Sequence, residues 1–408
     1  MGESVTTASQ NIQHESLQGT PAVAAGPLVV AMLYNRNGMA TWCWEAAHAL
    51  HELGRSVLLV AAAGAELPGT PAVEVVYLES EAGPARQHGR VRRVIANMVG
   101  NLAAGPDGVL QRIHSQLAAR GVCPSAYILN QSTLVDRKVP CPQFVAAWSY
   151  PVTLFSYLRK VPLLAPSRRF KPLVRTALST LGWWRKDWRG YRDAAGVLPV
   201  TEALAASLGR RSVDARVAYP GTAVSAEPAR TGGGIRLLMA AVRLNEPRKR
   251  VLWMLDALKQ LSPAPGTVLQ LAGEADDSIR RAAALLSFPV EFLGRLQRQE
   301  LQQAMQQAHV FCFGSVLDDW GYVLVEAMAN GLVPVAPGQS PFDEILDRVG
   351  CCYLPHSRQD FLRAVQTVLS GSPEAEPLEA WNRARRLFSR ASFGGSILES
   401  VDSFGHRC

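Results

Sequence analysis

The feature of this sequence that most restricts its fold is a repeated alternation of short apolar runs with helical patterns. The first example is an apolar run at 27–34, a turn at 35–38, a helical pattern at 40–53 ended by Gly54, and an apolar run at 56–62. Glycine often ends helices because it adopts left-handed backbone conformations freely. Two apolar runs joined through a helix predict a β-α-β unit with parallel strands.

This alternation continues in two series, separated by a stretch rich in Pro and Gly near 219–234 that is typical of a linker. The first series predicts further strands at 73–78, 126–129, 143–147 and 196–200, and helices at 108–120 and 201–209. The second predicts strands at 235–242, 267–272, 290–293, 309–313 and 332–336, and helices at 249–261, 276–287, 298–307 and 322–330. We therefore expect an α/β protein with two Rossmann-like, doubly wound parallel sheets.

The length of the chain agrees with two domains, because 408 residues exceed the size at which a single hydrophobic core stops growing. The boundaries follow the two series and the linker. We expect a disordered polar tail at 1–26, an N-terminal domain at 27–222, a linker at 223–234, a C-terminal domain at 235–387, and a segment at 388–408 that packs back on the N-terminal domain.

Composition excludes several functional classes. The seven cysteines are scattered without the spacing of a zinc site. No glycine-rich loop joins a strand to a helix in the pattern of a dinucleotide site or a P-loop. The N-terminus has no secretion pattern, and the longest apolar stretches are too short to span a bilayer, so we expect a cytoplasmic protein. The net charge of +8 suggests anionic partners such as phosphates or acidic lipids.

The most informative stretch is 314–337, where Asp318, Gly321 and Glu326 stand in a fixed frame before a short buried strand. Carboxylates near a helix N-terminus can accept hydrogen bonds from hydroxyl groups, while free backbone N–H groups there favour phosphates. A capping Asp and a buried Glu satisfied by the backbone are the alternative reading of the same residues.

This stretch resembles the carboxylate-x7-Glu motif of retaining glycosyltransferases of the large family 4, which have the GT-B fold. The resemblance implies two domains facing an interdomain cleft, with Glu326 binding the donor's ribose and Asp318 the hydroxyls of the transferred sugar. The usual first acid of the motif is Glu, so Asp318 is one methylene shorter. The family often has a His in the N-terminal domain, whereas 148–150 has none.

A second segment, Arg243–Lys249, follows the strand predicted at 235–242. It resembles the family's Arg and Lys clamp on the donor diphosphate, with Arg243 and Lys249 as the clamp and Arg248 as a substitute. Two fixed cations would offset the charge that develops as the sugar leaves. A solvated basic helix start is the alternative. By the same resemblance we add as donor-binding residues Gly38, Gly294, Arg295, Leu296, Trp320, Gly321 and Tyr322.

Residues 159–192 contain ten Lys or Arg, one acid, and three tryptophans. Such a composition suits an amphipathic segment on an anionic membrane, where it could reach a lipid-linked acceptor. The alternatives are a solvated basic helix and a groove for an acidic acceptor, which together have about the same weight as the membrane interpretation. No nucleic-acid recognition module accompanies the basic residues.

These observations predict a retaining glycosyltransferase that uses a nucleoside diphosphate sugar and a lipid-linked or small-molecule acceptor. We expect no metal requirement, because no Asp-x-Asp sequence occurs, and no cofactor besides the donor substrate. We expect a cytoplasmic protein, and contact with the inner face of the membrane is one of the open interpretations of 159–192. Two rivals stay open: a catalytically degenerate protein that binds a nucleotide sugar, and a membrane-surface scaffold that keeps only the fold.

Overall fold

A computed structural model describes residues 26–33, 38–62, 65, 67–78, 108–148, 187–225, 234–316, 318–347, 349–370 and 375–405. The expected tail, apart from Gly26, lies outside these residues, as do most of the predicted linker and 159–186 of the basic segment.

The N-terminal domain is built on a six-stranded parallel sheet. Its central strands are buried along their whole length, which explains their unbroken apolar runs, because helices cover both faces of a parallel sheet. The strands are β1 (Leu28–Met32), β2 (Val57–Ala61), β3 (Glu74–Tyr77), β4 (Ala126–Leu129), β5 (Gln143–Ala147) and β6 (Gly196–Pro199). The helices are α1 (Gly38–Glu52), α2 (Val109–Ala119) and α3 (Glu202–Gly209), and 187–193 are also helical.

The C-terminal domain repeats this plan with a second parallel sheet. Its strands are β7 (Arg236–Arg243), β8 (Val268–Glu274), β9 (Val290–Gly294), β10 (Val310–Cys312), β11 (Val333–Pro337) and β12 (Cys351–Tyr353). Its helices are α4 (Val251–Leu258), α5 (Asp277–Ala283), α6 (Arg298–Gln307), α7 (Tyr322–Ala329), α8 (Phe342–Leu346) and α9 (Arg358–Ser370). Two further helices follow, α10 (Ala375–Leu387) and α11 (Arg390–Gly405).

The two sheets have the same strand order. It runs β3-β2-β1-β4-β5-β6 in the first and β9-β8-β7-β10-β11-β12 in the second. The order reverses between β1 and β4 and between β7 and β10, and ligands of such sheets bind in the crevice beyond the carboxyl ends of the strands at this point. The predicted fold class, two doubly wound parallel sheets, is therefore confirmed.

The chain passes between the domains twice, at adjacent points. Thr222 forms an isolated parallel bridge with Ser389, and its N–H donates to the Phe388 carbonyl at 2.8 Å. After the second crossing, α11 packs on α1 and β6. Phe393 of α11 lies 5.6 Å from Trp42 between ring centroids, and Phe404 lies 6.0 Å from Phe144.

Two predicted elements differ from the structure for local reasons. The helix expected at 249–261 begins at Val251, because Pro247–Lys249 form a 3-10 turn and Arg250 is left-handed, with a φ of 55°. In the basic segment, Trp188 is buried against Tyr191, and the Arg211 guanidinium lies 4.5 Å from its ring. Trp188 is therefore part of the core and does not present its indole to a membrane.

Candidate active site

Two loops meet at the point where the C-terminal sheet reverses its strand order. One follows β7 and contains the 3-10 turn Pro247–Lys249; the other follows β10 and leads to α7. The Val316 N–H donates to the Arg248 carbonyl at 3.3 Å. Gly314 passes so close that a Cβ there would lie 2.9 Å from the Lys249 carbonyl oxygen. The glycine thus permits the close approach that brings the two loops together.

Asp318 is bound by two cations from the opposite loop. Lys249 Nζ lies 2.6 Å from Asp318 Oδ2, and Arg248 Nη1 contacts Asp318 Oδ1. The Asp318 side chain is only 12% exposed and that of Lys249 16%. Burial opposes ionisation of Asp318, but the charges of Lys249 and Arg248 outweigh it and hold its pKa below the usual value. A single carboxylate is thus shared between two cations at the crevice.

Arg243, the other cation of the expected clamp, is not among the ion-pair partners of Asp318 in the described part of the chain. Arg243 ends β7, is exposed, and pairs in register with Glu274 of β8. Within the described part of the chain, the ion pairs of Asp318 are with Arg248 and Lys249. The structure thus brings Arg248, the expected substitute, to the predicted carboxylate together with Lys249, because the 3-10 turn carries both side chains to the same loop crossing.

Glu326 lies on α7, which begins after Gly321. Gly321 has a φ of 100°, a conformation that favours glycine, and it sets the direction in which α7 leaves the loop. The Glu326 side chain is 22% exposed. Burial raises the pKa of Glu326 to about 7; the Arg298 charge opposes this shift and the Glu45 charge adds to it. A carboxyl of this kind changes its charge near neutral pH.

The Trp320 side chain, which the resemblance assigns to donor binding, is buried among aromatic residues. Trp320 is fully buried; it stacks on Tyr219 at 5.6 Å between ring centroids and packs edge-on against Phe388 at 5.5 Å. Its indole therefore belongs to the core between the domains. Tyr322 is partly buried, and among the described residues its hydroxyl has no hydrogen-bond partner.

The other predicted donor residues lie at two separate places. Gly294, the last residue of β9, and Arg295 after it are exposed, and Arg295 Nη1 lies 3.7 Å from Glu274 Oε1. Leu296 packs partly against the hydrophobic core. Gly38 is the first residue of α1, at the point where the N-terminal sheet reverses its strand order; residues 34–37 before it lie outside the described residues.

Sequence reasoning missed a buried ionic cluster beside Glu326. Glu45, on α1, has a side chain with 0% exposure. It contacts Arg298 Nη2, at the start of α6, and lies 2.6 Å from Arg390 Nε of α11. Arg298 Nη2 also lies 3.8 Å from Glu326 Oε1. The one sequence signal was an acidic residue among the apolar residues of α1, since an isolated buried charge is unfavourable and predicts a partner.

The described residues contain no group of three His, Cys, Asp or Glu residues placed to hold a metal ion. None of their helices is long and apolar enough to cross a bilayer.

Sequence comparison finds that part of the chain is similar to a known family. Residues 235–371 match the family described as "Glycosyl transferases group 1". A phosphatidyl-myo-inositol mannosyltransferase of Mycobacterium tuberculosis is 36% identical over 107 residues, which is 26% of this chain and 28% of the relative. The corresponding protein of Mycolicibacterium smegmatis is 33% identical over 114 residues, 27% of this chain and 30% of the relative. The chain thus matches less than a third of the length of these relatives.

Structural comparison covers nearly the whole chain. Sucrose-phosphate synthase from Thermosynechococcus elongatus superposes with a TM-score of 0.66 at 15% identity, over 94% of this chain and 100% of the other. HepE of Anabaena, in complex with UDP and glucose, superposes with a TM-score of 0.59 at 18% identity, over 93% and 100%. These similarities show that the two domains together have the GT-B fold of glycosyltransferases.

Proposed function

We propose, from the group 1 glycosyltransferase match of the C-terminal domain, that this chain transfers a sugar from a nucleoside diphosphate sugar to an acceptor with retention of configuration. One observation carries the proposal: Asp318 and the cations Arg248 and Lys249 meet at the crevice of the matched domain, with Glu326 on the adjoining helix. Carboxylates that bind hydroxyl groups beside cations that bind phosphates are what a nucleotide sugar requires.

In this proposal Lys249 and Arg248 bind the diphosphate, Asp318 the sugar hydroxyls and Glu326 the ribose. Arg243, at the exposed end of β7, adds a third cation near the same edge. As the bond between the anomeric carbon and the phosphate oxygen breaks, the cations stabilise the negative charge on the diphosphate. The acceptor oxygen bonds to the anomeric carbon from the same face, and its proton passes to the departing phosphate oxygen. No protein base and no metal is needed for this step.

The mannosyltransferase similarity favours a mannosyl donor and a lipid acceptor. It rests on about a quarter of this chain, so other donors belong in the test. We further propose that the protein is cytoplasmic and contacts an anionic membrane surface through basic residues within 159–192. Co-sedimentation with phosphatidylglycerol vesicles, but not with phosphatidylcholine vesicles, would support this contact. Equal sedimentation with both, or with neither, would refute it.

A thermal-shift screen tests the donor. UDP, GDP, dTDP, ADP and their sugars, including UDP-glucose and GDP-mannose, are compared, because a ligand that binds only the folded state raises its stability. We expect one base to raise the melting temperature, and Lys249→Ala to abolish the shift. Lys259→Ala is the matched control, because Lys259 is a surface lysine of the same domain paired with Asp256. A shift that survives Lys249→Ala would refute the assigned diphosphate site.

Product analysis tests the reaction. With the donor identified, NMR of the product should show the anomeric configuration of the donor, and EDTA should leave the rate unchanged. Lys249→Ala and Glu326→Ala should each abolish turnover while the protein stays folded. An inverted product would refute retention, and donor binding with no transfer to any lipid or sugar acceptor would favour a binding protein.

A further inference from the structure

The ionic cluster around Glu45 joins three parts of the chain that are distant in sequence. Glu45 belongs to the N-terminal domain, Arg298 to the C-terminal domain, and Arg390 to the helix that returns from one to the other. Glu45 is wholly buried, so its charge must be balanced locally, and two guanidinium groups do so. The cluster is therefore a specific contact between the domains.

Arg298 is placed between two carboxylates. The same nitrogen, Nη2, contacts Glu45 and lies 3.8 Å from Glu326 Oε1. Arg390 is already occupied by Glu45 and by Glu52, whose Oε1 is 2.7 Å from Arg390 Nη1. Among the described residues, Arg298 is the cation that has a nitrogen within 4 Å of a Glu326 carboxylate oxygen. The Arg298 guanidinium thus contacts both Glu45, in the contact between the domains, and Glu326, the proposed donor-site carboxylate.

We propose that Arg298 is a positioning residue that ties Glu326 of the donor site to Glu45 of the N-terminal domain. Its charge favours the ionised form of Glu326, the form proposed to bind the ribose, while the two domains are in contact. This inference rests on the proposed function for the role of Glu326, whereas the contact with Glu45 stands on the geometry alone. Arginine suits the position because its planar fork can serve two carboxylates, which the single ammonium of lysine does less well.

The charge of Glu326 near neutral pH gives this proposal a specific readout. Without Arg298, the remaining effects of burial and of Glu45 would raise the pKa of Glu326 further above about 7. A carboxylate accepts hydrogen bonds from the ribose better than a carboxylic acid does, so binding would need a higher pH. The titratable and charged groups that surround Glu326 and the cluster are Glu45, Arg298, Tyr322, Cys43, His48, Glu52 and Arg390.

The experiment measures the Kd of UDP and GDP at pH 6 and pH 9 for the full chain and the variants Arg298→Gln and Arg298→Lys. An increase of about 1 in the pKa of Glu326 would make Kd about tenfold larger at pH 6 and nearly unchanged at pH 9. We expect this pattern for Arg298→Gln, with partial recovery in Arg298→Lys. Arg358→Gln is the matched control, because Arg358 is an exposed arginine of the same domain paired with Asp256.

A second measurement tests the domain contact without any nucleotide. The melting temperatures of Glu45→Gln, Arg298→Gln and the double variant should show coupling, with the double variant losing less than the two single losses added together. Strictly additive losses would overturn the tie between the domains. A loss of nucleotide affinity that is equal at pH 6 and pH 9, or no loss, would overturn the role at Glu326.

The two parts of the test fail separately. If the wild-type chain binds neither UDP nor GDP at either pH, but does bind another nucleotide in the thermal-shift screen, the Kd series is run with that nucleotide. If it binds none, the proposed function fails, and the role at Glu326 fails with it. Coupling between Glu45 and Arg298 would then still establish the ionic contact between the domains.

Discussion

Replacing Glu326 with glutamine should stabilise the folded protein at alkaline pH, although it removes a carboxylate that the proposed reaction uses. Burial raises the pKa of Glu326 from 4.5 to about 7. A carboxyl with a higher pKa in the folded than in the unfolded state binds its proton more tightly when folded. The resulting stability is fully present below about pH 4.5 and is lost as the pH rises through about 7.

The size of this effect on the free energy of unfolding follows from the difference between the pKa values of the unfolded and folded states. The difference between 4.5 and about 7 corresponds to about 3 kcal/mol, at about 1.36 kcal/mol per pKa unit. The Glu326 side chain is 22% exposed, and solvent screening there reduces the effect, so we expect about 1–2 kcal/mol. Glutamine resembles the protonated acid in shape and cannot ionise, so the variant avoids the loss.

Urea denaturation followed by tryptophan fluorescence, at pH 5 and at pH 8.5, measures this difference. The free energy of unfolding of Glu326→Gln relative to wild type should rise by about 1–2 kcal/mol between the two conditions. Glu399→Gln, at an exposed carboxylate on α11, controls for the chemical change. A difference between Glu326→Gln and wild type that is the same at both pH values would refute the reasoning, because it would show that Glu326 is not held near its neutral form.

Two further predictions concern the loops of the site. Asp318→Asn should free Lys249 and Arg248 for the diphosphate, so we expect UDP or GDP to bind about 1–2 kcal/mol more tightly by calorimetry, and product analysis to show no transfer. Asp360→Asn is the control. Unchanged or weaker binding by Asp318→Asn would contradict the idea that Asp318 and the diphosphate compete for the two cations. Gly321→Ala should lower the free energy of unfolding by about 1–3 kcal/mol, because φ is 100° and the new Cβ would lie 3.2 Å from the Phe342 ring. Gly209→Ala, whose added Cβ would meet no atom within 4 Å outside the adjacent backbone, should have little or a stabilising effect. Equal losses in the two glycine variants would refute the argument from strain.

The alternation of apolar runs and helical patterns was enough to predict the fold class. The helix predicted at 298–307 has these bounds in the structure, because Gln297 and Glu300 form a capping box that marks its start. The predicted start at 249 was wrong, since the left-handed conformation of Arg250 depends on the loop crossing and not on periodicity. The alternation ends near residue 337, so helices α8 to α11 could not be placed from the sequence.

The sequence predicts site residues that stand in a local motif, but not those that are brought together only by tertiary contacts. Asp318 and Lys249 could be named because each stands in a recognisable local frame. The pairing of Arg298 with Glu45 could not, because the two residues are 253 positions apart and nothing local specifies the contact. The aromatic character of Trp320 was visible, but its stacking on Tyr219 from the other side of the linker was not.

The return of α11 to the N-terminal domain has a consequence for synthesis and for dissection of the protein. Domains usually fold as units in the order in which they leave the ribosome. Here Trp42 and Phe144 receive their packing partners Phe393 and Phe404 from a helix that follows the C-terminal domain in the sequence. The N-terminal domain therefore completes its core only after the C-terminal domain has been translated. A fragment ending at the linker would expose the apolar surface that α11 covers unless 390–405 were supplied as a separate peptide.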